Sequence, residues 1–393
     1  MSTNCEIRFD NNPNGTFTSG QMLTGKVILN LSEKKKVRSI YLKIEGVAKC
    51  SWVVTKGAGN RRRTITYSGK EDYLNQTTYL MGSASGGQLE IAAGITTFSF
   101  ACMLPEALPS SFEGKYGHIR YSCKVVLDRP LKSDKEFRTS FSVIKSEDLN
   151  AISMLAMPTK SEIVRYFYCC CIRSKPFFMS VSIPFSGYVP GQKVDLTIFI
   201  NNQSNVNIDG TKVSLERNTQ YISQNPRKKV RSELLTVKEV YGTGMLKSAS
   251  GELKISLVIP PLSPTNLNYS RVMTTCYQIR VLAKASGAHK NPHLTIPIRI
   301  GSIPLRAALP LPHFNAILNT SMTTQATAPP MAVQDLPPPS YEEAVSIRPE
   351  MGGEDADVSI FNPRYPVWNF SPAPSAPLAT ESAPETSFKV PLN

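Results

Sequence analysis

The sequence predicts an all-β protein: two tandem antiparallel β-sandwiches followed by a disordered, proline-rich tail. Three observations carry this reading. Apolar and polar residues alternate along many short runs, a five-residue pattern recurs 171 positions apart at the entry of such runs, and composition changes abruptly near residue 305.

The alternation is clearest in "IRYSCKVVLD", where Ile119, Tyr121, Cys123, Val125 and Leu127 interleave with Arg120, Ser122, Lys124 and Asp128. Val194, Leu196, Ile198 and Ile200 repeat the pattern, as do Leu253, Ile255, Leu257 and Ile259, and then Leu294, Ile296, Ile298 and Ile300. Successive strand side chains point to opposite faces, so each run reads as a half-buried strand. Gly, Pro, Asn and Ser punctuate the runs, and many short strands so punctuated argue for sandwiches. The helical signal is confined to "SEDLNAISMLAM" (146–157), enough for a turn or two before Pro158 stops it.

The recurring pattern is "FTSGQ" at 17–21 and "YVPGQ" at 188–192, each leading into a period-two run. An offset of 171 residues is too long for a solenoid and fits two similar domains in tandem. The expected organisation is a sandwich over 5–150, a linker over 151–176, a second sandwich over 177–303 and the tail over 304–393.

Composition agrees. A chain of 393 residues allows two or three domains, and 41% hydrophobic content supports real cores. Fifteen of the thirty prolines lie in 305–393. Residues 1–304 carry 40 Lys/Arg against 21 Asp/Glu, whereas 305–393 carry 4 against 9. A basic body attracts acidic surfaces. The tail buries too little apolar area to offset its ordering entropy, so disorder is expected there. No secretory signal and no apolar run long enough to span a membrane is found. The cysteines are therefore expected as cytosolic thiols. Cys5, Cys50, Cys102, Cys123 and Cys276 read as small buried or half-buried residues.

Four stretches carry a family resemblance: "SGQMLTGKVILNL" (19–31), "LPEALPSSFEGKYGHIRY" (104–121), "DLN" (148–150) and "GYVPGQKVDL" (187–196). With the tandem sandwiches, they make the chain resemble arrestin-domain-containing proteins, the α-arrestin branch of the arrestin clan. The resemblance covers nearly the whole chain. It implies arrestin-like, immunoglobulin-like domains and a non-enzymatic cytosolic adaptor, peripheral at plasma membrane and endosomes. It implies that the body holds membrane receptors or transporters. It further implies that C-terminal PPxY motifs bind WW domains of HECT-type ubiquitin ligases, so that cargo is ubiquitinated and sorted.

The tail carries such a motif in "LPPPSYEEAV" (336–345). Pro337, Pro338 and Pro339 bias the backbone to polyproline II, with roughly three residues per turn. Pro338 and Tyr341 then project on one side, as an aromatic WW groove and its tyrosine pocket require. The WW-binding residues are thus Pro338, Pro339 and Tyr341, with Ser340 pointing elsewhere. Ser340 and Glu343 also match a capping box, which predicts a short helix after the prolines in the bound form.

A second candidate is "FNPRYPVW" (361–368), with Pro363 and Tyr365 but Asn362 where a first proline belongs. It reads as a degenerate WW motif, as an aromatic stretch docked on the protein's own body, or as an N-P-x-Y turn for endocytic adaptors. Two weak sites on one tail gain from tandem WW domains through effective concentration.

Basic clusters occur at Lys34–Lys36 with Arg38, at Arg61, Arg62 and Arg63, and at Arg227, Lys228 and Lys229 with Arg231. They fit contact with anionic lipid or acidic cargo, or simply solvated loops. No nucleic-acid reader motif accompanies the charge. Cys169, Cys170 and Cys171 sit among aromatics and basic residues; they fit S-acylation or thiols tucked against a domain interface. Adjacent cysteines splay poorly around one ion, so no metal is expected. No catalytic motif appears, so no enzyme, cofactor or small-molecule substrate is expected. Two other readings of the body remain: a trafficking scaffold whose tail is a spacer, and a signalling arrestin that reads phosphorylated receptors.

Overall fold

The computed structural model describes residues 3–10, 12–58, 61–130, 132–169, 172–265, 269–308, 338–344 and 361–370. The first domain holds β1 (Thr3–Phe9), β2 (Thr16–Thr18), β3 (Met22–Leu31), β4 (Lys35–Val37), β5 (Ser39–Lys56) and β6 (Arg63–Gly82). It continues with β7 (Leu89–Ile91), β8 (Gly94–Met103), β9 (Phe112–Gly114), β10 (Gly117–Asp128) and β11 (Lys135–Ile144). The second holds β12 (Thr159–Arg165), β13 (Tyr168–Cys169), β14 (Ile172–Arg173), β15 (Phe177–Ile183), β16 (Gly187–Tyr188) and β17 (Lys193–Asn202). It closes with β18 (Ile208–Ser223), β19 (Lys229–Gly242), β20 (Ala249–Val258), β21 (Met273–Ala285) and β22 (His293–Ile300). Two tail strands follow, β23 (Ser340–Glu343) and β24 (Arg364–Val367).

Both domains are sandwiches with the same strand order. The sheets β1-β3-β8 and β2-β11-β10-β5-β6 of the first correspond to β15-β17-β20 and β16-β22-β21-β18-β19 of the second. The alternation read from sequence sets the packing. Tyr121, Cys123 and Val125 of β10 are buried and meet Leu23, Val27 and Leu29 of β3 in one core. Leu196 and Ile198 of β17 meet Val281 and Ile296 of the facing sheet in the other. Each such aliphatic side chain contributes about 1.5–3 kcal/mol by leaving water.

The repeated Gly-Gln turn is built the same way twice. Gln21 Oε1 accepts the Thr18 N–H at 2.9 Å, and Gln192 Oε1 accepts the Val189 N–H at 3.1 Å. Gly20 and Gly191 hold φ of +83° and +89°, a region where a side chain is strained. Each turn follows a short strand that pairs in parallel, β2 with β11 and β16 with β22.

The joint departs from expectation. Within 151–176, β12 pairs with β15 over Thr159–Arg165 and forms an edge of the second domain's sheet. Thr159, Ser161 and Ile163 are half-buried and the rest of the strand is exposed; of the three only Ile163 is apolar, so the sequence carries no alternation that reads as a strand. The 146–157 stretch makes two short 3₁₀ turns, Leu149–Ala151 and Ser153–Ala156. The domains are tied directly: Tyr221, Val272 and Met273 of the second pack into the core of the first, and Ser68 donates to Asn225 O at 2.9 Å. Arg299 Nε donates to Glu147 Oε1 at 2.8 Å across the joint.

The tail over 304–393 contains ordered pieces. Residues 338–344 and 361–370 lie on the body or on each other, and the expectation of disorder for 309–337, 345–360 and 371–393 falls outside the described residues.

Candidate functional site

Of the PPxY residues, Pro338 and Tyr341 are exposed, Tyr341 by 39%, and Pro339 is half-buried; Pro337 lies outside the described residues. In the free chain the stretch after the prolines is a strand: β23 runs antiparallel to β24, with Tyr341 opposite Pro366 and Ser340 opposite Val367. Ala344 N donates to Pro363 O at 2.9 Å and Arg364 pairs with Glu343 at 3.2 Å. A single helical turn has an unfavourable nucleus, whereas a neighbouring strand offers partners without one, so in the free chain the Ser340–Glu343 box stays open.

Tyr365 lies elsewhere in character. It is 2% exposed, and its hydroxyl donates to the carbonyl oxygen of Ser111 at 2.9 Å. The ring enters a cleft made by both domains, with Glu113 on one side and Arg217, Leu262 and Ser263 on the other. Arg217 is buried, donates to the Glu113 carbonyl at 3.4 Å and lies 4.7 Å from the centre of the Phe112 ring. Arg120 grips the Glu113 carboxylate with two bonds of 2.6 and 3.0 Å. Tyr277 donates to Ser263 O at 2.9 Å at the back of the cleft. Burial drives the Tyr365 phenol far above its ordinary range, so it remains the proton donor that Ser111 needs. Burial also raises the Glu113 carboxyl, with Arg120 pulling the other way.

The residues flanking Tyr365 cross the joint. Arg364 N donates to Ser142 Oγ at 3.0 Å, and its guanidinium donates to Asn14 Oδ1 at 2.9 Å, both in the first domain. Trp368 donates from its backbone to Pro190 O and from its indole to Ser302 O, both at 2.9 Å, in the second. The indole packs against Leu149, Val189 and Leu305. A Cβ on Gly191 would collide with the Trp368 carbonyl oxygen. Ser111 belongs to "LPSSFEG" and Pro190–Gly191 to "GYVPGQ", so these two of the four stretches that carry the family resemblance contact the tail here.

Sequence reasoning named Tyr365 but missed its receptor. One signal was available for Arg217: in "VSLERNTQY" it shares the inward face with Val213, Leu215, Thr219 and Tyr221, and a cation there demands partners. Nothing local marks Ser111 or Ser263, since their role depends on loops meeting across the joint.

The basic clusters separate into two kinds. Lys34, Lys35 and Arg38 are paired with Glu90, Glu33 and Asp128. Arg61, Arg62 and Arg63 are exposed at the turn between β5 and β6, and Arg227 and Lys228 are exposed in the loop before β19. That loop lies on β6 through Ser68 and Asn225, and the Lys229 ammonium sits 4.7 Å from the centre of the Tyr67 ring. Strand rise puts Arg63 about 13 Å from Tyr67, so the two exposed clusters border one region.

Burial pushes the thiols of Cys5 and Cys50 up to about 11 and that of Cys123 up to about 12. Cys276 departs from the expected burial and is exposed, because it takes an outward position on β21. Of the cysteine triplet, the backbone of Cys169 lies in β13, while Cys170 and Cys171 fall outside the described residues. Among the described residues no group of three His, Cys, Asp or Glu is placed to hold a metal, and no helix is long and apolar enough to cross a membrane.

Comparison with known proteins agrees with this architecture. Residues 5–150 match the arrestin (or S-antigen) N-terminal domain, and residues 173–305 match the arrestin (or S-antigen) C-terminal domain. The chain is 27% identical over 366 residues to arrestin domain-containing protein 17 of Caenorhabditis elegans, covering 88% of this chain and 82% of that one. It is 28% identical over 348 residues to arrestin domain-containing protein 4 of Mus musculus, covering 86% and 81%. With human arrestin domain-containing protein 1 it shares 24% over 329 residues, covering 84% and 70%. The two domain matches together span well over half of the chain, which belongs to the arrestin family and is homologous to the arrestin domain-containing proteins.

Proposed function

We propose that the protein is a non-enzymatic adaptor that binds the cytoplasmic parts of membrane receptors or transporters and recruits WW-domain HECT-type ubiquitin ligases through Pro338, Pro339 and Tyr341. Cargo held by the arrestin body is then ubiquitinated, internalised and sorted through endosomes. The adaptor acts from the cytoplasm at plasma membrane and endosomes. Exposed Arg61, Arg62, Arg63, Arg227 and Lys228, with half-buried Lys229, offer contact to anionic lipid or acidic cargo. Cys169, Cys170 and Cys171 are candidates for acylation that holds the adaptor there.

The observation that carries this reading is the surface position of Pro338 and Tyr341, outside both folded domains and three residues apart. A preformed extended proline segment loses little entropy on docking into an aromatic groove. The test is retention of purified WW domains by the full chain. Tyr341→Ala is expected to abolish it; undiminished retention by Tyr341→Ala with Tyr365→Ala would sink the mechanism.

A second reading is an arrestin-fold trafficking scaffold, or a signalling arrestin, that works without a ligase. It is favoured by the pairing of Tyr341's strand with a segment engaged on the body. Under it, the Tyr341→Ala variant moves cargo as the wild type does.

A further inference from the structure

We propose that the cleft between the two arrestin domains is a binding site for an extended peptide bearing an unmodified tyrosine. Its occupant is this chain's own 361–370 segment. The site bridges the domains. On the first, Ser111 O takes the phenolic proton and Ser142 Oγ takes the Arg364 N–H. On the second, Pro190 O and Ser302 O take the two N–H groups of Trp368. Four directional bonds to one short segment, with one buried aromatic ring between them, make a built recognition site rather than a chance contact.

The selection for a plain phenol follows from what surrounds its oxygen. The partner is a carbonyl, which accepts and cannot donate. The Glu113 carboxylate lies on the wall of the same cleft. The free space beside the ring is about 20 Å³, room for about one water. A phosphate ester on Tyr365 would lose the donated proton, leave the Ser111 carbonyl unsatisfied and need room for a phosphoryl group where the free space holds about one water. Arg217 is near and keeps a buried Nε without a hydrogen-bond partner, so the selection rests on the lost proton and the lack of room rather than on charge. Burial keeps the phenol protonated, consistent with the same preference.

The site also governs β23, which has β24 as its strand partner. When 361–370 leaves, the strand that contains Tyr341 loses its template. The effect on WW access rests on the ligase reading; the site itself does not.

The test uses the full chain and synthetic peptides with the sequence of residues 361–370, plain or phosphorylated on tyrosine. Hydrogen exchange of the Trp368 and Arg364 amides reports occupancy, with no ligase present. The wild type is expected to protect both. Excess plain peptide should displace the tethered segment and cut protection at least tenfold, and the phosphopeptide should leave it unchanged. Tyr365→Phe should retain docking with weakened protection, and Tyr365→Ala should lose it. Unprotected amides in the wild type, or equal displacement by both peptides, would overturn the proposal. Protected amides in a chain that retains no WW domain would leave the site standing and remove the ligase reading.

Discussion

The backbone N–H of Trp368 donates to the carbonyl oxygen of Pro190 at 2.9 Å, directly over a glycine that has no room for a side chain. The turn that starts the second sandwich therefore also receives the tail. Truncating the indole removes its bond to Ser302 and its contacts with Leu149, Val189 and Leu305. We expect Trp368→Ala to release 361–370 to protease while the sandwiches stay folded, since their cores do not include this residue. Limited proteolysis with mass mapping checks it, and cleavage within 361–370 should rise at least tenfold.

Tyr121 fixes the loop that receives Tyr365. Its buried hydroxyl donates to Pro109 O at 2.7 Å, two residues before Ser111. Tyr121→Phe keeps the ring but leaves that carbonyl without its donor, at a cost of about 1–3 kcal/mol. The midpoint of urea unfolding should fall with the slope unchanged.

Glu113 and Arg120 form a pair with little exposure, 12% and 17% at the side chains. Arg120→Met leaves the carboxylate without its cation and is expected to cost about 3–5 kcal/mol at pH 8. Burial already raises the Glu113 carboxyl, and without Arg120 it rises further. Folding then takes up a proton. Stability from this group is full below the unfolded value near 4.3 and is lost as pH rises through the folded value. The deficit relative to wild type should therefore shrink between pH 8 and pH 5, measured by urea unfolding at both.

The duplicated sandwich was legible because its signals are local. Alternation in β10, β17, β20 and β22 survives in sequence, and each Gly-Gln turn needs only its own residues to close. Strand β12 escaped because an edge strand with largely exposed residues has almost no alternation to read. The extended state of Ser340–Glu343 escaped because its partner lies 21 or more residues later, and a capping box carries no information about that. For Tyr365 the tail's own clue was "RYPVW", an aromatic and apolar cluster in a polar surrounding. That clue names a buried residue but not its receptor, which exists only where 109–113 meets the second domain.

The raised thiols give a chemical test of the cores. Only the thiolate attacks iodoacetamide, and at pH 8 a thiol near 12 is thiolate in about one molecule in ten thousand. Cys123, at about 12, and Cys50, at about 11, should resist alkylation in the native chain, while exposed Cys276 reacts before both. In denaturant all should react alike. Timed alkylation with peptide mass spectrometry reads the order.

The two tail tyrosines should respond oppositely to mutation when a single WW domain is titrated into the full chain. Tyr341→Ala removes the ring that the WW pocket takes, so binding should vanish. Tyr365→Ala removes a ring buried in the body and frees β23 from the anchored β24. The apparent Kd equals the intrinsic value divided by the fraction of chains that are competent, so raising that fraction tightens binding. If nine chains in ten hold β23 paired, the gain is about tenfold. A degenerate WW site at Tyr365 predicts the reverse, because removing a second ligand can only weaken binding. Isothermal titration of the wild type and both variants separates these outcomes. Tighter binding by Tyr365→Ala identifies that residue as a restraint on the motif, and weaker binding identifies it as a second ligand.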